Sequence, residues 1–393
     1  MQICIDMDYI ERRISSVVKE AAGYFPVICV TGPRQSGKST MIKHLFPDYM
    51  QFTLEDLDVR EFAKNDPIAF LSQTDKGMFL DEVQNVPELL SYIQGIVDRN
   101  PQRKFVISGS SNFSLMKEIS QSLAGRVGIF ELLPMSYGEI KDKVTDMSLD
   151  ELLFRGQYPT ICSGKNVPKY FYPSYLKTYL ERDVRQIANI RDMMQFHSFI
   201  KLCAARIGSI WVASQLAAEV GVSVNTINAW LSVLQTAYVV QLLRPYSANT
   251  PKRYIKSPKL YFCDTGLACS ILGIETPEQL ARDKMRGNLF ENFVINEALK
   301  SRYNQGKDNN LMFYRDSNQN EIDLLLTKNG CIDGVEIKSA MTWHKDFQRT
   351  LDRMETLIKE PKGKKYIVYA GEMENEMAEV KLLNYKHLDA ILY

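Results

Sequence analysis

The segment that most constrains the fold of this chain lies at Gly32–Thr40 and reads GPRQSGKST. It fits the phosphate-loop pattern G-x-x-x-x-G-K-[ST] at every fixed position. An apolar run at residues 26–30 precedes it, and residues 39–45 have the pattern of an opening helix. A glycine-bearing loop between a strand and a helix N-terminus offers clustered N–H groups and a positive dipole, which together bind phosphate. The segment therefore predicts a nucleotide site on an α/β fold with a parallel sheet.

Two side chains of this loop are expected to have separate roles. Lys38 would contact the outer phosphates of ATP, and Ser39 would hold the magnesium ion that accompanies the nucleotide. The remaining contacts would come mainly from backbone N–H groups. The loop residues predicted to bind ATP are Gly32, Pro33, Arg34, Gln35, Ser36, Gly37, Lys38, Ser39 and Thr40.

A second nucleotide motif follows where an apolar run at residues 77–80 ends in Asp81 and Glu82. Asp81 is expected to bind magnesium through water and Ser39, and Glu82 to orient and deprotonate the attacking water. An Asp-Glu pair alone would be typical of a solvated strand end. Its position downstream of the phosphate loop favours the catalytic interpretation, which predicts hydrolysis of ATP as well as binding.

Two further features are candidates for contacts with a nucleotide, the first as a sensor of the γ-phosphate and the second as an arginine finger. A third apolar run, at residues 104–108, is followed by Ser110, Ser111 and Asn112, and the sequence does not choose among these three. A polar turn without such a role is the alternative. Arg126 would be a finger that reaches the nucleotide of a neighbouring subunit, or an arginine in an ordinary surface ion pair.

Composition limits the class of protein. The 393 residues predict two or three domains, and the charged fraction of 24% is ordinary for a globular protein. Seven cysteines without C-x-x-C pairs favour a reducing cytosol over disulfides or zinc sites. No apolar stretch is long enough to span a bilayer, and acidic residues interrupt the N-terminus early. We therefore expect a cytoplasmic protein without a membrane partner, and the net charge of +1 makes no general case for nucleic acid.

The pattern of apolar runs predicts how the chain is organised. Strand candidates alternate with helical stretches in the N-terminal third, which indicates a parallel sheet with helices on both faces. The strand candidates are residues 26–30, 50–54, 77–80, 104–108 and 127–131. The predicted domains, in order, are a nucleotide-binding domain, a helical connector, a winged helix and a second α/β domain, at residues 1–145, 146–208, 209–275 and 286–393.

The winged helix is predicted from helix–turn–helix spacing. Helices at residues 214–220 and 224–234 would flank a turn at Gly221, with Ser223 as the N-cap of the second helix. The residues expected in the core are Val224, Ile227, Leu231 and Leu234, and those expected to be exposed are Asn225, Thr226 and Asn228.

Two strands complete this winged helix, at residues 238–243 and 259–262, around a basic loop with Lys252, Arg253 and Lys256. DNA binding, mostly through phosphates, is one interpretation. Packing against protein is the other. The second helix carries no arginine or lysine, which weakens the case for reading bases.

A β-hairpin is predicted near the C-terminus, where Asn329-Gly330 is a strong two-residue turn signal. With that turn, Lys328 pairs with Cys331, Asp323 lies opposite Glu336, and Glu321 lies opposite Lys338. These four charged side chains would share one face. The apolar residues expected on the other face are Ile322, Leu324, Leu326, Val335 and Ile337.

Opposed carboxylates repel each other unless something neutralises them, and a divalent metal between Asp323 and Glu336 would do so. Lys338 would then lie beside a bound water. Glu291, at the flank of the apolar stripe of a helix predicted at residues 289–300, could reach the same site. A hairpin with a solvated charged face is the alternative.

The segments TGPRQSGKST, FLDEVQ, SGSSNF and LAGRV resemble the AAA-type ATPase domain of a widespread prokaryotic group. In that group the ATPase is followed by a C-terminal region of unknown function. The resemblance extends over essentially the whole chain, including YLKTYLERDVRQI, PKLYFCDTGL, GNLFENFV and VEIKSA. It implies an ATPase that uses ATP and Mg²⁺, and a ring or dimer as the form of assembly.

The spacing of Asp323, Glu336 and Lys338 resembles the D…E-x-K arrangement of PD-(D/E)xK nucleases. This resemblance implies a metal-dependent nuclease in which these three residues and Glu291 are catalytic and DNA is the partner. A catalytically silent domain of the same fold, in a protein that acts as a nucleotide-dependent switch or a DNA- or protein-binding module, is the rival interpretation.

Overall fold

The computed structural model describes residues 9–110, 118–119, 121–180, 193–246, 257–377 and 379–393. Two β-sheets organise these residues, a parallel sheet in the N-terminal third and a mixed sheet formed by the middle and the C-terminal third. No helix within these ranges is long and apolar enough to cross a lipid bilayer.

The N-terminal sheet has five parallel strands in the order β2-β3-β4-β1-β5 among the described residues. Its strands are β1 (Val27–Gly32), β2 (Met50–Thr53), β3 (Met78–Asp81), β4 (Phe105–Ser110) and β5 (Val127–Glu131). Its helices are α1 (Ser15–Tyr24), α2 (Lys38–Leu45), α3 (Leu57–Asn65), α4 (Pro67–Leu71) and α5 (Leu89–Arg99), with a 3-10 turn at Val83–Asn85. All five strands predicted from the sequence are confirmed.

Helices cover both faces of this sheet, as the alternation of strands and helices predicts. On one face, Ile28 and Val30 of β1 pack with residues of α1 and α2. On the other, Val27 and Cys29 pack with residues of α3, α4 and α5. Every residue of β1 is buried, which is why this strand is continuously apolar rather than alternating.

The middle of the chain is mainly helical. Its helices are α6 (Tyr137–Ile140), α7 (Leu149–Arg155), α8 (Pro159–Cys162), α9 (Pro168–Tyr175), α10 (Met193–Ala204), α11 (Ala213–Val220), α12 (Val224–Thr236), α13 (Thr265–Leu272), α14 (Pro277–Arg282) and α15 (Arg286–Asn304). A 3-10 turn at Lys141–Lys143 and a π-helical turn at Leu176–Leu180 lie between them.

The helix–turn–helix spacing is confirmed in α11 and α12. Gly221 ends α11 with φ of 78°, and the Ser223 side chain accepts a hydrogen bond from the Thr226 N–H at the start of α12. Asn225 and Asn228 are exposed and Thr226 is half-buried. The prediction for Val224 is wrong, since it is 42% exposed. It is the first residue of α12, and the buried stripe begins one turn later. The buried residues of α12 are Ile227, Trp230, Leu231, Val233 and Leu234.

The second sheet has eight strands in the order β12-β13-β11-β10-β9-β8-β6-β7 among the described residues. They are β6 (Val240–Pro245), β7 (Lys259–Phe262), β8 (Met312–Arg315), β9 (Glu321–Lys328), β10 (Cys331–Lys338), β11 (Lys362–Tyr369), β12 (Asn375–Met377) and β13 (Val380–Asn384). The short helices beside it are α16 (Met354–Leu357) and α17 (Asp389–Leu392), with 3-10 turns at Lys345–Gln348, Leu351–Arg353 and Tyr385–His387.

Strands β6 and β7 attach the middle of the chain to the C-terminal sheet. They pair with each other as an antiparallel hairpin, and Arg244 and Pro245 of β6 pair in parallel with β8. The two strands predicted to complete a winged helix therefore extend the sheet of the second α/β domain. The basic loop between them, with Lys252, Arg253 and Lys256, lies outside the described residues.

The predicted hairpin is present as β9 and β10. Lys328 pairs with Cys331, and Asn329 and Gly330 both have positive φ, 49° and 79°. Two positive φ values are what a type I′ turn requires. The register derived from Asn-Gly is thus confirmed along the hairpin, up to the pairing of Val335 with Leu324 at the far end.

One prediction about the faces of this hairpin is wrong. The residues that share an apolar face and a single core are Leu324, Leu326, Val335 and Ile337. Ile322 packs in a different core, together with Leu325. The pairing of β9 with β8 shifts between Met312 and Tyr314, so β9 contains one extra residue there. A β-bulge of this kind moves the following side chains to the other face, and a two-residue period cannot reveal it.

Candidate functional site

Two glycines shape the loop that joins β1 to α2. Gly32 has φ of 144°, and a Cβ at this position would lie 2.2 Å from the carbonyl oxygen of Leu132. Gly37 is the N-cap of α2 and has φ of 91°. Both fixed glycines of the phosphate-loop pattern therefore occupy backbone positions that other residues would strain.

Lys38 lies buried inside this loop. Its Nζ donates hydrogen bonds to the carbonyl oxygens of Gly32 at 3.0 Å and Pro33 at 2.8 Å. Burial lowers the pKa of Lys38 to about 8, although Glu82 and Asp81 act in the opposite direction. The amine is thus held among loop carbonyls, where a negatively charged ligand would offer it stronger partners.

Asp81, at the end of β3, is fixed by three donors. Ser39 Oγ donates to its Oδ2 at 2.5 Å, while Ser108 Oγ and the Glu82 N–H donate to its Oδ1. Asp81 and Ser39 therefore lie side by side at the start of α2, as the magnesium prediction requires. Carboxylate and hydroxyl oxygens are ligands that suit Mg²⁺, so this pair fits the ion.

Ser108 was not among the predicted sensing residues. It is fully buried in β4, between the strands that carry the phosphate loop and Asp81. A hydroxyl at the end of the apolar run 104–108 was the signal that could have identified it. The backbone of Ser110 ends β4, but Ser111 and Asn112 lie outside the described residues.

Glu82 has a strained backbone and lines the cavity above the loop. Its φ of 54° and ψ of 47° lie in the left-handed region, which costs a residue other than glycine about 1 kcal/mol or more. Its Oε2 accepts a hydrogen bond from Gln84 Nε2. The strained turn aims an acidic side chain at the space beside Lys38 and Ser39.

This cavity has a volume of about 340 Å³ and is built by three parts of the chain. The loop and β3 contribute Gln35, Gly37, Lys38, Ser39, Thr40 and Glu82. The other lining residues are Tyr9, Ile10 and Arg12 before α1, and Met135, Pro159, Thr160, Ser163 and Lys165 after β5. The second group is not predicted from the sequence, because these segments carry no local motif. Of the other predicted loop residues, Gly32, Pro33 and Ser36 are buried and Arg34 is half-buried.

Arg12 braces the phosphate loop from the N-terminal side. It is 3% exposed, and its guanidinium donates to the carbonyl oxygens of Ser36 and Leu133, both at 2.7 Å, and to Glu139 Oε1 at 3.1 Å. Burial opposes ionisation of Glu139, but Arg12 and two backbone N–H groups outweigh it and lower the pKa of that carboxyl. The loop is therefore tied to the segment that follows β5.

Arg126 forms a two-pronged ion pair with Asp98 on α5. The two N–O distances are 2.5 and 2.9 Å, and the arginine side chain is one-third exposed. Within one chain this contact corresponds to the surface-pair interpretation. A role for Arg126 in a neighbouring subunit stays a prediction.

The charged residues of the C-terminal hairpin meet side chains from two other elements. Lys259 of β7 is 1% exposed, and its Nζ lies 2.9 Å from Glu291 of α15, 2.5 Å from Glu321 and 4.0 Å from Asp323. Burial opposes its charge, but the carboxylates more than offset this and raise the pKa of Lys259. Tyr261 Oη donates to the same oxygen of Glu291 at 2.5 Å.

A second lysine, Lys338, contacts Asp323 and Glu336. Its Nζ lies 2.5 Å from Glu336 Oε1 and 3.9 Å from Asp323 Oδ2. Burial raises the pKa of Glu336 to about 8, and the Asp323 charge adds to the effect. The second carboxylate oxygen of Glu336 is buried and has no hydrogen-bond partner among the described residues. We call Lys259, Glu291, Glu321, Asp323, Glu336 and Lys338 the acidic cluster.

The acidic cluster brings together all four residues predicted for a nuclease site, Glu291, Asp323, Glu336 and Lys338. It also contains Lys259, which no sequence pattern connected with them. Within the described ranges, no three His, Cys, Asp or Glu side chains are arranged to hold a metal ion. The ammonium of Lys259 lies among the carboxylates instead, so the residues as arranged do not fit the metal that the nuclease resemblance implies.

A buried polar network connects the cavity above the phosphate loop with α15. Lys300 Nζ of α15 donates to the Met135 carbonyl at 2.8 Å, to Gln157 Oε1 at 2.6 Å and to Glu297 Oε1 at 3.0 Å. Glu297 also accepts from Gln157 Nε2 at 2.9 Å and from the Tyr137 N–H at 2.7 Å. Met135 lines the cavity, and α15 also carries Glu291 of the acidic cluster. One helix thus contacts both candidate sites.

Comparison with known proteins identifies three successive matches along the chain. A family model described as an AAA domain matches residues 24–141. Two models described as domains of unknown function, DUF8612 and DUF4143, match residues 146–278 and 286–388. The first match spans the phosphate loop and the β3 carboxylates, so the site described above lies in the AAA domain.

Similar whole proteins come from bacteria and archaea. The uncharacterized protein Rv2008c of Mycobacterium tuberculosis is 31% identical over 342 residues, which are 85% of this chain and 75% of that protein. The uncharacterized protein MJ1544 of Methanocaldococcus jannaschii is 26% identical over 76% of this chain and 71% of its own length. Among solved structures, the Walker-type ATPase PABY2304 of Pyrococcus abyssi has a TM-score of 0.47 and 14% identity, over 68% of this chain and 97% of that one.

Proposed function

The chain belongs to the protein family that includes the mycobacterial relative Rv2008c and carries an AAA domain, and from this premise we propose that it hydrolyses ATP at Gly32–Thr40. The observation that carries the proposal is the contact of Ser39 with Asp81 at 2.5 Å, directly beside Lys38. These three residue types in this arrangement suit a nucleotide phosphate and its magnesium ion.

Each side chain of the site has one role in this proposal. Lys38 leaves the loop carbonyls for the outer phosphates of ATP, and the Glu82 carboxylate accepts the proton of the attacking water. Ser39 and Asp81 would hold Mg²⁺, which supplies charge neutralisation at the phosphates when it is bound with ATP. Ser108 and the Glu82 N–H keep Asp81 oriented for that task.

The loss of Lys38 tests this proposal. Lys38→Ala should abolish ATP binding or turnover, because the outer phosphates would lose the ammonium group that the loop offers them. Turnover is measured as phosphate release by purified protein, and binding by calorimetry. Lys43→Ala, on the same helix α2 but exposed, is the matched control. Unchanged phosphate release in the Lys38→Ala protein would refute the ATPase proposal.

We further propose that the nucleotide state is transmitted to the C-terminal region through α15. The support is the network in which Lys300 and Glu297 bind Gln157 and Met135, next to the cavity lining. A ligand that moves Met135 or the segment at Pro159 would change the partners of a buried lysine and a buried glutamate. Buried charges tolerate such changes poorly, so α15 is expected to respond.

Hydrogen exchange along α15, with and without a non-hydrolysable ATP analogue, tests this transmission. We expect protection of α15 to change on binding, and Glu297→Gln to remove most of that change while leaving binding intact. Glu278→Gln, an exposed acidic residue on the neighbouring helix α14, is the control. Equal responses in wild type and Glu297→Gln would show that another route, or none, connects the two regions.

For the middle region, we propose a winged helix that serves mainly for packing against protein. The succession of α10, a bridge between Ile210 and Lys259, α11, α12 and the hairpin of β6 and β7 supports this fold. The exposed Asn225 and Asn228 of α12 are uncharged, and β7 is part of a sheet. DNA binding is the rival, and it predicts salt-dependent anisotropy changes of a labelled duplex. Such binding at physiological salt would overturn the packing role.

For the C-terminal region, we propose a nuclease-like domain whose site is silent in this conformation. The support is the joint position of Glu291, Asp323, Glu336 and Lys338 together with the lysines that neutralise them. Cleavage of single- or double-stranded DNA with Mg²⁺ or Mn²⁺ would contradict this. That cleavage would have to be lost in Asp323→Ala and Lys338→Ala, since equal cleavage by these variants would come from a contaminant.

A further inference from the structure

Another cavity lies in the C-terminal region and shares no lining residue with the cavity above the phosphate loop. Its volume is about 430 Å³, and we call it the basic cavity. We propose that the basic cavity binds a small molecule through a dianionic phosphate monoester group, held by Arg302, Lys307 and Lys328. This site is separate from the proposed ATPase, since none of these residues belongs to the phosphate loop or to the strand that carries Asp81.

Three separate segments of the chain build the basic cavity. The end of α15 and the loop after it contribute lining residues between 298 and 311, the hairpin of β9 and β10 contributes residues 326–329, and the end of α17 contributes residues 391–393. Hydrogen bonds join these segments. Ser301 is 1% exposed, and its Oγ donates to the Leu392 carbonyl at 2.7 Å, while Lys328 Nζ donates to the Ile391 carbonyl. The walls of the cavity are therefore held in place by the fold.

The charged side chains that line the basic cavity are all cations, and their hydrogen-bond partners are neutral oxygens. Arg302 Nε donates to a backbone carbonyl of the following loop at 3.0 Å. Lys307 Nζ donates to Gln305 Oε1 at 2.7 Å, and Lys328 Nζ donates to a backbone carbonyl of α17. Within the described part of the chain, none of these three cations forms an ion pair. Hydrogen bonds from a cation to an anion are about twice as strong as those between neutral groups, so an anionic ligand would be preferred to these partners.

The surroundings of the basic cavity carry an excess of positive charge. The ionisable groups that line it or act on its lining cations are Arg302, Lys307, Lys328, Lys364, Asp308 and Asp333. Four cations and two carboxylates leave a net charge of +2. Burial lowers the pKa of Lys328, Asp333 opposes this effect, and the two neighbouring lysines lower that pKa further. A ligand with two negative charges would neutralise the excess and would favour the charged form of Lys328.

The charge and the size of the basic cavity favour a phosphate monoester of a small molecule. A phosphate monoester carries close to two negative charges at neutral pH, whereas a carboxylate carries one. The planar guanidinium of Arg302 can donate two parallel hydrogen bonds to phosphate oxygens, and the two lysines supply point charges. Sites for small organic ligands have volumes of about 300–1,000 Å³, so the cavity has room for more than the phosphate group. Asn310, Thr327 and Asn329 also line it, and their amide and hydroxyl groups suit the hydroxyls of such an ester.

Calorimetric titration of the full chain with glycerol 3-phosphate tests this site. A saturating non-hydrolysable ATP analogue is present, so that the ester does not enter the phosphate loop. We expect one ester to bind per chain, and Lys307→Met to weaken binding about tenfold or more, since it removes one charged donor and keeps a side chain of similar length. Lys328→Met should have at least the same effect, and the double variant should not bind. Lys307→Arg keeps the charge and should bind like wild type, as should Lys345→Met, at an exposed lysine that does not line the cavity.

Wild-type protein that binds no ester would overturn the proposal, and so would binding that Lys307→Met leaves unchanged. Lys307 is exposed, so its variant decides the matter even if Lys328→Met, which loses a contact with α17, fails to fold. Phosphate release by the Lys307→Met protein, measured without the ester, should equal that of wild type and reports separately on the ATPase proposal.

Three further probes identify which part of the ligand the basic cavity recognises. Glycerol, which lacks the phosphate group, should not bind. Inorganic phosphate should bind more weakly than the ester, because it leaves the rest of the cavity unfilled, and equal affinity would contradict a small organic ligand. A 5′-phosphorylated oligonucleotide should not displace the ester. Displacement that is lost in Lys307→Met would instead assign the site to a nucleic-acid end.

Discussion

The two candidate sites of this molecule use the same residue types in opposite ways. In the phosphate loop, the partners of Lys38 are two backbone carbonyls, and its neighbours Ser39 and Glu82 line a cavity of about 340 Å³. In the acidic cluster, the partners of Lys259 are the carboxylates themselves. A lysine whose partners are neutral carbonyl oxygens can exchange them for a negatively charged ligand, which binds it more strongly. A lysine whose partners are carboxylates already has its charge neutralised. The two proposed functions thus differ in the partners of the cation rather than in the types of charged side chains present.

The largest effect expected at the phosphate loop is that of Glu82. Glu82→Gln should lower ATP turnover by roughly 10²–10⁴-fold, the range typical of a lost general base, while leaving ATP binding nearly unchanged. Single-turnover phosphate release and calorimetry measure the two quantities. Glu61→Gln, an exposed residue of α3, serves as the control. Turnover within a few-fold of wild type would mean that Glu82 does not act on the attacking water.

At the acidic cluster, the largest effect is expected on stability. Lys259→Met should lower the free energy of unfolding by about 3–5 kcal/mol, because removing one partner of a buried ion pair leaves carboxylates uncompensated. Urea unfolding in the absence of divalent metal measures this change. Lys345→Met, at an exposed lysine of the C-terminal third, should change stability very little. A small loss for Lys259→Met would show that the carboxylates are neutral or solvated without it.

An intermediate effect is expected at Ser108, which donates a hydrogen bond to the carboxylate of Asp81 beside the phosphate loop. Ser108→Ala removes a hydrogen bond to Asp81, and hydrogen bonds to charged groups contribute about 1.5–3 kcal/mol. We expect turnover to fall about tenfold or more, with a higher Mg²⁺ requirement, since Asp81 keeps Ser39 and the Glu82 N–H as donors. The Mg²⁺ dependence of phosphate release gives the answer, and Ser72→Ala, at an exposed position, is the control. An unchanged Mg²⁺ requirement would remove Ser108 from the site.

The smallest effect is expected for Arg126, which lies outside both sites. Its ion pair with Asp98 is on the surface, and pairs of this kind contribute little to stability. Arg126→Ala should therefore leave the thermal unfolding midpoint unchanged. Turnover should also match that of wild type at every protein concentration. If Arg126→Ala falls further below wild type as the protein concentration rises, a finger that acts between subunits would be favoured instead.

The parts of this molecule that sequence reasoning predicted well are those that local patterns determine. The phosphate loop, the strand ending in Asp81 and the Asn329-Gly330 hairpin depend on residues that are neighbours in the chain. The pairing of Lys328 with Cys331 follows from the turn alone. Even there, the bulge at Ile322 escaped prediction, because it depends on the pairing with β8.

The parts that escaped prediction are contacts between distant segments. Lys259 reaches Glu321 across 62 residues of chain, and Tyr9 and Pro159 meet at one cavity although no motif links them. The spacing of apolar residues along a strand or a helix cannot show that Lys259 is buried, since its partners Glu291 and Glu321 lie on other elements. Ser108 is an exception, because a hydroxyl in the apolar run 104–108 was visible in the sequence.

The junction of β6 with β8 has a consequence for how the chain can be divided. A fragment that begins at residue 286 would keep β8 but lose β6. The edge of β8 at Met312 and Phe313, which Arg244 and Pro245 pair with in the full chain, would then be exposed. Uncovered strand edges invite self-association. The same fragment would lose Lys259 and leave Glu291, Glu321 and Asp323 without their shared cation. The C-terminal third therefore shares its sheet with strands from the middle of the chain. We expect a fragment that begins at residue 286 to aggregate rather than fold as an isolated domain.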